Sequence, residues 1–380
     1  MRALSIGIVG AGLGGLAAGI ALDRTGQEVT VFEQTEVFGP VGAGISLWPN
    51  GVKVLALLGL GPDLALLGGI MERMAYSAAD GKELTDFSLR PLYERVGQRA
   101  WPLSRTALQD LLVATLGEDR IRFGTLCQEV SAGPMIKLAD GSEQAFDLVV
   151  AADGTHSPIR SWIAGHRVER RYVGYVNFNG IVPYDPILGP ETTWRTWVGD
   201  GKRASVMPVG GSRVYAFFDI PYPNEPAGCA DELEEGFAGW DPAVQHLVAS
   251  VSAGRVNRVG IYDVPPLDDW QRDDVVLLGD SAHGMAPDLG QGGCQALEDA
   301  LVLAHYLATT DVSVTDALAR YQAERRPRTT EIARRARKRA DITHGLDPVA
   351  TRAWYDGLAE EDGDQIIAGL VESAATGPCG

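Results

Sequence analysis

Residues 6–33 constrain the fold of this chain more than any other stretch. An apolar run, Ile6-Gly7-Ile8-Val9, fits a strand buried on both faces. It leads into Gly10-Ala11-Gly12-Leu13-Gly14-Gly15, where Gly10, Gly12 and Gly15 fill a GxGxxG pattern. In such a pattern one glycine makes a tight turn, one lets backbone approach a pyrophosphate, and one lets a helix pack close to the strand. The small-residue run that follows reads as that helix, and its free N–H groups would face the phosphates. Val29-Thr30-Val31-Phe32-Glu33 then gives a second strand ending in an acid, placed where a carboxylate accepts from a ribose hydroxyl pair. The motif alone leaves FAD and NAD(P) both open.

A parallel α/β unit needs more strands, and the chain supplies them far apart. Residues 146–152 form an apolar run into Asp153-Gly154-Thr155-His156-Ser157-Pro158, with Arg160 at helical distance. Residues 274–280 form another, ending in Asp280 and followed by a glycine loop through Gly293 and a helix from Cys294. Between them lie a hairpin signal at Asp80-Gly81 and, over 172–220, aromatic and β-branched segments punctuated by glycines. The expected fold is α/β: a Rossmann-type dinucleotide lobe with an inserted, mainly antiparallel β-sheet lobe that carries a pocket, and C-terminal helices. The nucleotide lobe takes 1–72, 101–170 and 271–312, the inserted lobe 73–100 and 171–270, and the terminal helices 313–380. Residues 39–47 read as a loop passing a bound ligand, Ser104 as a helix N-cap, and 231–250 as one helix.

A net charge of −17 argues against nucleic acid or an anionic membrane as partner. It also means that an anionic substrate needs a local cationic pocket. The basic run Arg334-Arg335-Ala336-Arg337-Lys338-Arg339 reads as a solvated helix face. The cysteines Cys127, Cys229, Cys294 and Cys379 contain no CxxC, and the histidines show no ligand spacing, so no metal site is expected. With no leader and no spanning segment in the sequence, the expected address is the cytoplasm.

Three stretches together resemble the flavin-dependent aromatic monooxygenases of the p-hydroxybenzoate hydroxylase fold. They are the N-terminal fingerprint with Glu33, Asp153-Gly154 with Arg160, and Gly279-Asp280 with Pro287 and Gly290-Gln291-Gly292. Within that family, residues 45–53, 73–76, 174–180, 201–203, 287–294 and 340–345 are similar to the FAD-dependent urate hydroxylases. Phe178 stands where the resemblance leads one to expect tryptophan, a change expected to alter the pocket.

The resemblance implies tightly bound FAD. Gly10, Gly12, Gly14 and Gly15 would surround the pyrophosphate, with Gly12 and Gly14 approaching it. Glu33, with Gln34 and Cys127 nearby, would hold the adenosine side. Ser46 and Arg105 would reach the flavin end or the phosphates, and Asp153 would serve FAD and the pyridine nucleotide. Asp280 would take a ribityl hydroxyl, and Gly290, Gly292 and Gly293 would border the isoalloxazine. On local grounds Asp280 also reads as a helix cap, Arg105 as a surface ion pair and Asp153 as an Asx-turn. With a single GxGxxG, NADH or NADPH would bind only transiently.

The implied substrate site is Arg203, Tyr215 and Asn177 on inserted strands, with Asp288 in the loop skirting the flavin. An arginine fork suits a planar anion at any physiological pH. Tyr215 would fix the ring plane, Asn177 would orient, and Asp288 would orient or help activate the ring. The structural alternatives are a solvated strand end for Arg203, aromatic core beside Phe217 and Phe218 for Tyr215, and a turn after Pro287 for Asp288. The implied activity is C5 hydroxylation of urate to 5-hydroxyisourate with NAD(P)H and O2, through a flavin C4a-hydroperoxide, by a monomer or homodimer. Other planar anions, 6-hydroxynicotinate or salicylate, fit the same scaffold, as does a non-hydroxylating flavin redox sensor.

Overall fold

Strand Ser5–Val9 runs through the middle of a six-stranded sheet, and everything that shapes the site is placed relative to it. The order is Gln271–Arg272, Val275–Leu277, Leu148–Ala151, Ser5–Val9, Glu28–Phe32, Ile121–Arg122. The pairings are parallel except at the Gln271–Arg272 edge. This computed structural model describes residues 3–38, 43–226, 228, 231–254, 256–309 and 312–375. The central strands are buried on both faces, as an unbroken apolar run requires. Helices Leu13–Arg24 and Gly292–Leu307 pack against each other over the sheet. Gly14 permits that contact: a Cβ there would stand 2.7 Å from Leu278 Cδ2 and 3.2 Å from Ala296 Cβ.

The second sheet has seven strands, in the order Asn257–Asp263, Arg171–Pro183, Arg213–Pro221, Lys202–Pro208, Thr193–Gly199, Arg73–Ala78, Glu83–Ser88. All pair antiparallel except Arg73–Ala78 with Thr193–Gly199, which is parallel. Alternation gives it two unlike faces. Val176, Phe178, Trp197 and Phe218 form a core with helix Pro242–Ser252. Asn177, Arg203, Tyr215 and Phe217 point the other way, toward the first sheet's lobe, and register sets Asp219 opposite both Arg203 and Asn177. Phe178 is therefore a core residue facing away from the cavity, not part of its wall.

Three sequence expectations change. The 231–250 stretch is two helices, Glu232–Gly236 and Pro242–Ser252. Asp241 Oδ1 accepts from the Ala243 amide at 2.7 Å and Pro242 occupies the first turn, so a new helix starts there. Ser104 sits at the N-cap of helix Arg105–Leu116 but makes no side-chain capping bond. The basic run lies on helix Val314–Thr343, yet only Arg334 and Lys338 are exposed. Arg337 Nη1 bonds Asp263 Oδ2 at 3.0 Å and the Arg339 guanidinium lies 4.1 Å from the Trp354 ring centre, because helical spacing turns these positions inward. Helices Pro348–Leu358 and Asp364–Ala375 complete the chain. Among the described residues, no helix is long and apolar enough to cross a membrane.

Candidate active site

The strand-to-helix junction at the fingerprint divides the labour among its glycines. Gly10 has φ +100°, and a Cβ would lie 2.4 Å from the Ala152 carbonyl. At Gly15 a Cβ would lie 2.0 Å from Gly10 O, so helix and strand touch through bare backbone. Gly12 differs: nothing lies within 4 Å of its Cβ direction, and it borders two cavities. Gly14, expected at the pyrophosphate, owes its lack of side chain to helix packing instead, although its backbone still borders the cavity.

The two cavities meet at Gly12, Ala152 and Gly154. The outer one, about 420 Å³, is bordered by Glu33, Gln34, Cys127 and Asp153. Glu33 is not an idle acid. Its Oε2 accepts from the Ala11 amide and its Oε1 from the Thr35 amide and hydroxyl, each at 2.9 Å, so it also braces the glycine turn. Asp153 has neither carboxylate oxygen hydrogen-bonded among the described residues, and burial pushes its pKa up to about 6. Burial beside Asp153 likewise pushes the Cys127 thiol up to about 12, so it stays neutral. Arg160, next to Asp153 in sequence logic, is a buried brace: it donates to the carbonyls of Gly154, Thr155, Asp280 and Ser281.

The inner cavity, about 350 Å³, lies between the lobes. The N-termini of helices Leu13–Arg24 and Gly292–Leu307 both border it. Gly292 also has no atom closer than 3.8 Å to its Cβ direction, whereas a Cβ at Gly293 would meet Ile45 at 2.8 Å. Gly290 adopts φ +62°, and a Cβ there would strike Ser46 Oγ at 2.6 Å. Ser46, Arg105 and Asp280 border the same space. Arg105 is exposed and has no ion-pair partner among the described residues. Asp280 opens the short helix Asp280–His283 but caps nothing with its side chain. Two helix N-termini, two open glycines, a continuous pair of cavities and carboxylates at both ends fit an extended dinucleotide such as FAD. Residues 39–42 of the expected ligand-side loop, and Cys229 and Cys379, lie outside the described residues.

Opposite those helix ends stands the polar face of the second sheet. Arg203 Nε donates to Asp219 Oδ2 at 2.6 Å, and its Nη2 lies 3.4 Å from Asp288 Oδ1. Burial would lower the Arg203 pKa, but Asp219 and Asp288 hold it above its ordinary value, so the charge is permanent. Its guanidinium lies 5.4 Å from the Phe217 ring centre. Asn177 is engaged at both ends: it donates to Asp219 Oδ1 and accepts from Asn179, each at 2.7 Å. Tyr215 borders the cavity, its hydroxyl without a protein partner among the described residues, and burial raises its pKa.

Asp288, expected in the loop beside the flavin, is held on both oxygens. Its side chain has 0% exposure; Oδ2 accepts from the Tyr175 hydroxyl at 2.6 Å and Oδ1 faces His344 Nε2 at 3.1 Å. Burial alone would raise its pKa, but Arg203 and then His344 bring it down to about 2. His344 stacks on Tyr175 at 3.8 Å, and its Nδ1 faces the Gly201 carbonyl at 3.3 Å. With an acceptor at each nitrogen, the ring is fully hydrogen-bonded only when it carries both protons. Sequence reasoning assigned no role to Tyr175, Asp219, Trp194 or His344. The alternation of the strands pointed to the first three, and the phrase 340–345 contained the fourth.

The whole architecture matches known proteins. Residues 3–336 match the family model described as FAD binding domain. A FAD-dependent urate hydroxylase of Klebsiella pneumoniae is 45% identical, with 98% of this chain and 99% of that protein covered. One from Mycolicibacterium vanbaalenii is 44% identical, with 99% and 98% covered. The crystal structure of Klebsiella pneumoniae HpxO complexed with FAD and uric acid superposes with a TM-score of 0.94 at 43% identity, covering 99% of this chain and 98% of that one. This chain therefore belongs to the FAD-binding-domain family of flavoproteins, in the group that contains the FAD-dependent urate hydroxylases.

Proposed function

We propose that this chain hydroxylates urate at C5, giving 5-hydroxyisourate, with NADH or NADPH as transient reductant and O2 as oxygen source. The observation that carries this reading is Arg203: a permanent cation, fixed in direction by Asp219 and Asp288, on the wall of the cavity where the two helix N-termini converge. The end-to-end similarity to urate hydroxylases supports the choice of anion.

FAD would supply the redox chemistry when bound: it would take hydride from the nicotinamide and pass one oxygen atom of O2 to an electron-rich carbon, the other leaving as water. Gly12 and Gly292 would leave room for it, Glu33 and Asp153 would hold its adenosine side, and Asp280 and Arg105 would hold its other end. Urate is a planar monoanion near neutral pH, rich in acceptors and electron-rich without a strong base. The Arg203 Nη groups left over from Asp219 present a flat donor edge to it. Tyr215 keeps its proton and donates from the side. The Trp194 indole N–H, buried with no acceptor among the described residues, offers a further donor. Asp288 stays ionised, so its part is to position the guanidinium, with Tyr175 and His344 holding its two oxygens. Phe217, Met207 and Trp194 keep the cavity wall apolar and water out.

The chain is placed in the cytoplasm as a monomer or homodimer. The deciding experiment is NAD(P)H consumption by the FAD-loaded protein. Urate should stimulate it with 5-hydroxyisourate formed in step. Stimulation by salicylate or 6-hydroxynicotinate and none by urate would overturn the substrate assignment.

A further inference from the structure

A second chamber adjoins the reaction cavity. It lies on the same sheet face, about 470 Å³ in volume, and shares Trp194, Arg203 and Asp288 with the reaction cavity. Helices Pro348–Leu358 and Asp364–Ala375 roof it, away from the dinucleotide cavities. Trp48, Trp194, Tyr76 and Trp354 give it flat aromatic walls.

Its polar groups are mostly donors in want of acceptors. The indole N–H groups of Trp48 and Trp194 are buried and have no acceptor among the described residues. Thr196 Oγ1 and Ser205 Oγ lie 2.8 Å apart, and only one can donate to the other, which leaves one hydroxyl hydrogen over. Arg339 stacks on Trp354 and has no carboxylate partner among the described residues. Burial lowers its pKa, with the Tyr76 hydroxyl and Asp288 acting the other way. Of the chamber's carboxylates, Asp288 is engaged as described, and Glu361 accepts through Oε1 from the amides of Gly363 and Gln365. Arg335, at the rim, pairs with Glu372 at 3.1 Å.

Charge makes the same point. Arg203 shares its charge with Asp219 and Asp288. Arg339 adds a second guanidinium in the adjoining chamber, with no carboxylate paired to it among the described residues.

We infer that this chamber is a receiving site for a planar, acceptor-rich anion, with Arg339 as its cation and Trp354 and Trp194 as its walls, from which the anion passes to Arg203. The inference rests on the proposed function for the identity of the anion. Aromatic faces select a flat body, unpaired N–H donors select carbonyl oxygens, and the lone guanidinium selects one negative charge.

The test mixes FAD-loaded protein with urate in a stopped-flow instrument without NAD(P)H. Tryptophan fluorescence reports the chamber and flavin absorbance reports the reaction cavity. The parent should show fluorescence quenching before the flavin band moves. Arg339→Gln should slow the quenching phase about fivefold or more, with Arg339→Lys restoring part of it. Arg203→Gln should keep the quenching and lose the flavin change. Gly369→Leu covers the case in which Arg339 variants fail to fold: its Cβ direction meets nothing within 4 Å, so the side chain would fill the chamber. It too should suppress quenching. Quenching at the parental rate in both Arg339→Gln and Gly369→Leu would overturn the inference and leave the proposed function standing. If urate moves neither signal in the parent and stimulates no NAD(P)H use, the proposed function falls and takes this with it.

Discussion

At Arg203 one side chain answers to two carboxylates, and under the proposed function its removal has a specific signature. Arg203→Gln should keep FAD bound and lower kcat/KM for urate about a hundredfold, as expected for losing a charge-assisted donor in a buried site. Parental turnover would refute the assignment. Asp288 adds a pH dependence. Its pKa of about 2 lies below the ordinary carboxylate value, so it favours the folded state above about pH 4, and that contribution disappears as pH falls toward 2. Asp288→Asn should therefore cost about 2 kcal/mol at pH 7 by urea denaturation, and the gap from the parent should close between about pH 4 and 2. His344→Gln, which keeps a donor toward Asp288 and loses the ring, should raise the urate KM and remove the stack on Tyr175. Resemblance to the family singled out Arg203 and Tyr215, whereas local pattern alone reads Arg203 as a solvated strand end and Tyr215 as aromatic core. The sequence concealed the burial of Asp288, because only the fold brings the 288 loop against Tyr175 and His344. Asn177 was legible as a position but not in its bonding, since its amide answers to Asp219 across a strand pair.

Elements show which glycines serve the ligand and which serve the fold. Gly12→Val should lower flavin content while leaving the apoprotein melting temperature close to the parent's, since nothing of the protein stands in the way of the new side chain. Gly15→Ala should do the reverse, costing about 1–3 kcal/mol in the apoprotein from collision with Gly10 O. Parallel losses in both would contradict the division. The helix pair Gly292–Leu307 and Val314–Thr343 is locked by Arg325, which is fully buried and bonds Asp299 Oδ1 and Glu298 Oε2, each at 2.6 Å. Arg325→Ala should destabilise by about 3 kcal/mol by chemical denaturation, since it takes a buried guanidinium from both carboxylates and leaves Glu298 to Arg328 and Asp299 to His283 and the Gly279 amide. Helix Leu13–Arg24 was readable because strand, glycine turn, small-residue run and second strand all fell in order. The basic run 334–339 misled because charge looks solvated in sequence, while its helix turns Arg337 toward Asp263 and Arg339 onto Trp354.

On the scale of the molecule, the inner cavity draws on 12–14, 44–46, 177–217 and 278–296, so neither sheet can build it alone. Calorimetry of the apoprotein should show a single transition that FAD shifts upward as a unit. A split into two peaks, one of them insensitive to FAD, would mean that the two sheets melt independently. The interleaving was legible from the wide spacing of Gly10, Asp153 and Asp280, but the parallel pairing of Arg73–Ala78 with Thr193–Gly199 was not, because no local pattern specifies a partner so distant in sequence. That pairing has a consequence for biosynthesis. The hairpin Arg73–Ala78 and Glu83–Ser88 leaves the ribosome early, with one strand edge unmatched until Thr193–Gly199 has been translated. In the interval the nascent polypeptide carries an open, half-apolar ribbon containing Met74 and Tyr76, the kind of surface that chaperones shield and that neighbouring chains can capture.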